Sequence, residues 1–148
     1  MSIHATLNDV LMRLSRNINA AEEYVLKQSE YSNMTTNDMH VIEAIGLEEP
    51  KNMTSVARAL MVTTGTLTIS VNSLVKKGFV ERTRSEEDRR MVLVSLTQYG
   101  IKAFNCYKKF YADVVEAVTA ELSEEEQSIL EKTLGRLSRI SNLLRLRR

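Results

Sequence analysis

Arg82 to Arg90 reads RTRSEEDRR, four arginines and three acids in nine residues. Guanidinium groups meet phosphate and base edges in a planar, two-pronged way, and carboxylates beside them fix their aim through charge-assisted hydrogen bonds. Just upstream, VTTGTLTISVNSLVK (Val62 to Lys76) offers a different chemistry of short hydroxyls, one amide and a lysine. Wound as a helix at about 100° per residue, Leu67, Val71, Leu74 and Val75 gather on one side with Thr64. Opposite lie Gly65, Ile69, Asn72, Ser73 and Lys76, with Thr66 and Thr68 at the margins. The outer face is nearly free of bulk and carries the donors and acceptors that groove reading and phosphate anchoring use. Ile69 is its one large apolar member, suited to thymine methyl groups. The face alone leaves a plain solvated surface equally open; the neighbouring charge tips the balance. From 76 to 90 the cations Lys76, Lys77, Arg82, Arg84, Arg89 and Arg90 outnumber the acids six to four, in a chain whose net charge is only +1.

Other chemistries are poorly provided for. Two histidines, His4 and His40, and one cysteine, Cys106, exclude a disulfide framework and leave no ligand set for a metal. There is no glycine loop to cradle phosphate and no nucleophile with a matching base and orienter, so neither an enzyme nor a cofactor is expected. Cys106 reads as a reduced packing residue rather than an oxidant sensor, and His40 as a satisfied core or interface group.

The elements that must position these groups follow from periodicity. Leu7, Leu11, Leu14, Ile18, Ala21 and Val25 recur at spacings of four and three, predicting a long helix from about Ala5 to Tyr31 with the seam of helix-on-helix packing. A second helix is predicted over Thr36 to Leu47, and Pro50 closes it. A third is predicted over Ser55 to Met61 with Thr54 as its cap, and a fourth over Thr64 to Lys77, stopped by Gly78. Phe79 to Arg84 and Met91 to Leu96 read as two strands around the charged loop, and Thr97 caps a fifth helix running to about Glu121. Ser123 and Glu126 form a capping box for a last helix striped by Leu130, Leu134, Leu137, Ile140 and Leu144. The expected class is therefore mainly α with a small β-hairpin: a winged helix-turn-helix flanked by N- and C-terminal dimerisation helices. The two terminal stripes are too extensive for a small domain to bury alone, although packing within one chain remains open.

At 148 residues the chain has the length of one domain. No apolar run nears the ~20 residues of a membrane span, and MSIHATLNDVLMRL lacks a secretory pattern, so a cytoplasmic protein without membrane contact is expected.

The run from Ser73 to Gly100, SLVKKGFVERTRSEEDRRMVLVSLTQYG, resembles the signature of the MarR family of bacterial transcription regulators. Asp88 and Arg90 match its wing pair, followed by Leu96, Thr97 and Gly100. Leu74, Gly78 and Phe79 match the preceding turn, and MTSVARALMV (Met53 to Val62) fits the first helix of the reading pair. The resemblance implies one MarR-type domain over 1–148, with dimerisation helices at 1–32 and 98–148 around a winged helix-turn-helix at 33–97. It implies a homodimer on a roughly palindromic DNA operator, one reading helix per half-site. By that analogy Thr63, Thr64, Thr66, Thr68, Ile69 and Asn72 face the major groove and Lys76 meets phosphate. Arg82, Arg84 and Arg89 are DNA-binding candidates as cations flanking the reading helix, while by the analogy Arg90 enters the minor groove and Asp88 holds it.

NDMHVIEAIG (Asn37 to Gly46) and Val62 to Arg90 are similar to the branch that represses fatty-acid synthesis genes in Firmicutes. That similarity implies long-chain acyl groups on acyl carrier protein as corepressor. An acyl chain needs an apolar slot, and Met39, Ile42, Phe104 and Tyr107 are the candidates. Four of the chain's eight aromatic residues fall between 104 and 111, where ordinary core packing competes with that role. A MarR-type regulator of another pathway, answering to a small aromatic or lipophilic effector or to stress, stays open. So does a non-DNA interaction module, and salt-dependent, sequence-specific operator binding separates the two classes.

Overall fold

The spacing of four and three becomes α1, Ile3–Gln28, and the remaining punctuation resolves into five more helices and three strands. These are α2 (Thr36–Ile45), β1 (Lys51–Asn52), α3 (Met53–Leu60), α4 (Thr64–Lys76), β2 (Val80–Arg84), β3 (Val92–Leu96), α5 (Gln98–Thr119) and α6 (Glu124–Arg145). The coordinates are a computed structural model, which describes the backbone of residues 2–145 and the side chains of residues 2–140. Leu144 and the basic tail Arg145 to Arg148 lie outside the described side chains. The chain divides into two units, Met1–Lys108 and Lys109–Arg148.

The first unit holds the core. Ile42 and Ile45 of α2, Val56 of α3, Leu67, Val71 and Leu74 of α4, Phe79 and Val94 are all essentially inaccessible to solvent. Leu67, Val71 and Leu74 of the predicted core face of the fourth helix are buried and Val75 is half-buried at its edge, whereas Thr64, assigned to the same face, is exposed at the open first turn. Phe79 stacks on Tyr99 with ring centres 4.5 Å apart, and Tyr31 closes the cluster against both rings. Burial, reinforced by Glu30, pushes the Tyr31 phenol up to about 12.

The turn from α4 into the sheet explains the sequence around Gly78, Thr97 and Gly100. Gly78 takes φ +85°, a left-handed conformation that costs glycine nothing. Thr97 Oγ1 donates to the Gly78 carbonyl at 2.6 Å and accepts from the Gly100 amide at 3.1 Å, so one hydroxyl caps α5 and ties it to the turn. A Cβ at position 100 would lie 2.0 Å from the Phe79 carbonyl oxygen, so only glycine lets α5 approach this closely.

Two local expectations change. The hairpin is a three-stranded antiparallel sheet in the order β1-β3-β2, because Lys51 and Asn52 pair with Val94 and Leu93. A two-residue strand leaves no periodic trace. The cap of α3 is Asn52 rather than Thr54: its Oδ1 accepts from the Ser55 amide at 2.8 Å, and asparagine is among the strongest N-caps.

α1 behaves differently from the core it leads into. Leu26 is buried and Ile18, Ala21 and Val25 are half-buried, yet Leu7, Leu11 and Leu14 stand exposed. In the second unit α6 begins with the expected box, Ser123 accepting from the Glu126 amide and Glu126 accepting from the Ser123 amide. That bond holds the Glu126 carboxyl below its ordinary range. Leu134, Leu137 and Ile140 of α6 are exposed. No helix among the described residues is long and apolar enough to cross a membrane.

Candidate nucleic-acid interface

α3 and α4 form the helix-turn-helix, joined through Met61, a non-glycine residue held at φ 56°. The Thr63 side chain caps α4, accepting from the Thr66 amide at 3.2 Å. α4 is anchored against α2 at its middle and at its C-terminal end. Asn37 Nδ2 donates to Ser70 Oγ at 3.2 Å, and Lys77 Nζ pairs with the buried Asp38 carboxylate at 2.9 Å. Asp38 also completes a capping box with Thr35 at the start of α2. These anchors were missed in the sequence reading, although Thr35 and Asp38 three residues apart carry the capping-box spacing.

The outer face of α4 is open. Thr64, Gly65, Thr66, Thr68, Ile69, Asn72 and Lys76 are exposed, Ile69 at 74%. A large aliphatic side chain is rarely left so bare at the middle of a helix that buries its other side well. Some of the polar groups are already engaged. The Thr63 hydroxyl donates to Thr66 Oγ1, and Thr68 Oγ1 donates to the Thr64 carbonyl, each leaving acceptor capacity free. Asn72 Oδ1 accepts from Arg82 Nη2.

The wing loop runs from Ser85 to Met91 and is closed by main-chain bonds, Ser85 N to Met91 O and Met91 N to Asp88 O, both 2.9 Å. Asp88 Oδ1 accepts from the Arg90 amide at 3.0 Å. The hold expected between Asp88 and the Arg90 guanidinium therefore runs through the backbone: aspartate makes a local turn with the residue two positions on, as its short side chain favours. Arg84 Nη1 donates to the Arg89 carbonyl at 2.8 Å, which supports the loop from below. The Arg90 side chain lines an open cleft of about 510 Å³ with Asn52, Thr54, Ser55, Arg58 and Thr64. The structure thus brings Arg90 next to the start of the reading helix, and leaves Arg89 exposed.

The effector candidates separate. Met39 and Ile42 are core residues, while Phe104 and Tyr107 are half-buried against that core. His40 Nε2 lies 3.5 Å from the buried Glu22 carboxylate, and its ring meets Tyr107 edge-on at 6.3 Å. Cys106 is a half-buried free thiol. Among the described residues no group of His, Cys, Asp and Glu could hold a metal ion.

A winged helix-turn-helix with an open polar reading face and an arginine-bearing wing defines a class, the DNA-binding regulators of transcription. Residues 23–106 match the family described as transcriptional regulator SarA/Rot. The regulator SarZ of Staphylococcus haemolyticus is 34% identical over 111 residues, 75% of this chain and 72% of that protein. FabT of Streptococcus pneumoniae, solved in complex with DNA, superposes with a TM-score of 0.90 at 35% identity, covering 95% of this chain and 99% of that one. Apo MarR of E. coli superposes at 0.68 with 25% identity, over 93% and 96% of the two chains. The chain belongs to the SarA/Rot family of transcriptional regulators, with a MarR-type fold similar to FabT. It is a regulator and not an enzyme.

Proposed function

We propose that the protein is a cytoplasmic repressor that binds a palindromic operator as a homodimer and controls fatty-acid synthesis genes, with long-chain acyl carrier protein as corepressor. The observation that carries the DNA assignment is the exposed, low-bulk face of α4 beside a wing whose loop delivers Arg90. Thr64, Thr66, Thr68, Ile69 and Asn72 meet base edges, Lys76 and Arg89 meet phosphate, and Arg90 enters the minor groove, where a narrow groove concentrates negative potential. Thr63 caps the helix and Asp88 shapes the turn that aims Arg90. A symmetric partner is favoured by the apolar residues that α1 and α6 leave in solvent, since an uncovered stripe of leucines is a contact surface.

The fatty-acid assignment rests on the resemblance of Asn37 to Gly46 and Val62 to Arg90 to the branch that represses fatty-acid synthesis genes. An acyl chain enters beside Phe104 and Tyr107, the half-buried side of the candidate slot, and reaches Met39 and Ile42 only by parting the core. The reading is tested by fluorescence anisotropy on a duplex selected from a randomised pool, with and without long-chain acyl carrier protein. Tighter binding with the acylated carrier is expected. Unchanged affinity removes the corepressor and leaves a MarR-type regulator of another pathway, answering to an aromatic or lipophilic effector or to stress.

A further inference from the structure

A side-chain hydrogen bond joins the reading helix to the wing. Arg82, on β2, donates through Nη2 to the side-chain oxygen of Asn72, on α4. Arg84, two residues along the same strand and so on the same face, donates to the Arg89 carbonyl at 2.8 Å. The face of β2 that begins at the buried Val80 therefore carries two braces further along, one to the helix and one to the loop. These two arginines sit in a segment where cations outnumber acids six to four, yet each spends a donor inside the protein.

A guanidinium has donors and no acceptor, so Arg82 dictates how the Asn72 amide is turned. The carbonyl oxygen faces Arg82, and Nδ2 with its two hydrogens is left for whatever lies outside. Both residues are exposed, so packing does not impose this orientation and the hydrogen bond alone does. Asparagine reads adenine by offering oxygen and nitrogen together to N6 and N7. With its oxygen turned towards a cation within the protein, Asn72 directs its Nδ2 donors outward. The edges that answer are acceptors: O6 and N7 of guanine, or O4 of thymine.

We propose that Arg82 is a positioning residue that turns the donor end of Asn72 outward, so that each half-site presents a guanine or thymine edge, and not adenine, where Asn72 meets it. This rests on the DNA-reading assignment above. It is tested by selecting duplexes from a randomised pool with the full chain, Arg82→Ala, Asn72→Ala and the double variant. The salt dependence of each is then measured on the duplex the unaltered protein selects, with circular dichroism to confirm the fold.

Arg82→Ala and Asn72→Ala are expected to lose preference at the same base pair, by about tenfold, the discrimination one good amide contact supplies. Arg82→Ala should admit adenine there, because the freed amide can turn. The double variant should discriminate no less than Asn72→Ala, and the salt slope of Arg82→Ala should match that of the unaltered protein. The proposal is overturned if Arg82→Ala keeps the preference that Asn72→Ala loses. It is equally overturned if Arg82→Ala lowers the salt slope by about one with preferences intact, the mark of a phosphate contact. Failure of the unaltered protein to select any sequence defeats the DNA reading itself.

Discussion

The core around Phe79 and the helices α1 and α6 treat apolar residues in opposite ways. Phe79, Val71, Leu74 and Val94 are sealed from water, and the Thr97 hydroxyl ties the turn at Gly78 to the start of α5 beside them. Leu7, Leu11 and Leu14 of α1 and Leu134, Leu137 and Ile140 of α6 are in solvent. The first pattern completes itself within one chain. The second is an unfinished surface, with leucines repeated at helix-seam spacing and no covering layer. In the dimer proposed above, the base-reading unit is complete within one chain, and the open stripes of α1 and α6 meet the partner.

Substitutions that respect or violate the division sharpen it. Phe79→Ala removes the ring at the centre of the sealed core and should cost about 3–5 kcal/mol, read by urea unfolding. A cost below about 1 kcal/mol would mean that the core does not close on this residue. Leu11→Asp and Leu134→Asp strike the open stripes instead. Each should reduce the particle mass in analytical ultracentrifugation from two chains to one at micromolar concentration, while the far-ultraviolet signature of the folded unit persists. A particle that remains two chains would place the partner surface elsewhere.

Tyr31 reports the seal from another side. Its pKa is raised by burial to about 12, so the stability it contributes is complete below its unfolded value near 10 and is lost as pH rises towards 12. Tyr31→Phe should flatten the decline in stability across that window. A variant as alkali-sensitive as the unaltered chain would show that Tyr31 is not the group responsible. The smallest expected effect is at Met61, exposed and held at φ 56° in the turn of the helix-turn-helix. Met61→Gly should stabilise by about 0.5–1 kcal/mol, the cost of left-handed backbone in a residue with a side chain. A loss of stability would show that the side chain matters more than the backbone there.

Much of this division is legible in the sequence, because periodicity reports faces. The stripe of α1, the buried side of α4 and the open side bearing Thr66, Ile69 and Asn72 all follow from helical spacing. The cap at Thr97 and the turn at Gly78 follow from residue chemistry. What escaped depends on particular side-chain and strand contacts that periodicity does not report, some of them between residues far apart in the chain. Two residues at 51 and 52 become a strand only because β3 lies beside them. Lys77 finds Asp38 across 39 positions, and neither residue announces the other. Arg82 and Arg84 look like free cations in the sequence, and only the sheet register turns them towards Asn72 and the Arg89 carbonyl. The pairing of Asp88 with Arg90 was legible as a partnership, but its atoms were not: the carboxylate takes the amide and leaves the guanidinium for other work.

The central claim is that α4 and the wing read DNA together. It is tested most directly by measuring, for the unaltered chain and Arg90→Ala, affinity for the selected duplex and for a scrambled duplex over a series of salt concentrations. The account predicts specific binding that weakens as salt rises through counterion release, with Arg90→Ala weaker on the selected duplex and its fold intact. Equal affinity for both duplexes, or an Arg90→Ala variant that binds like the unaltered chain, would contradict it.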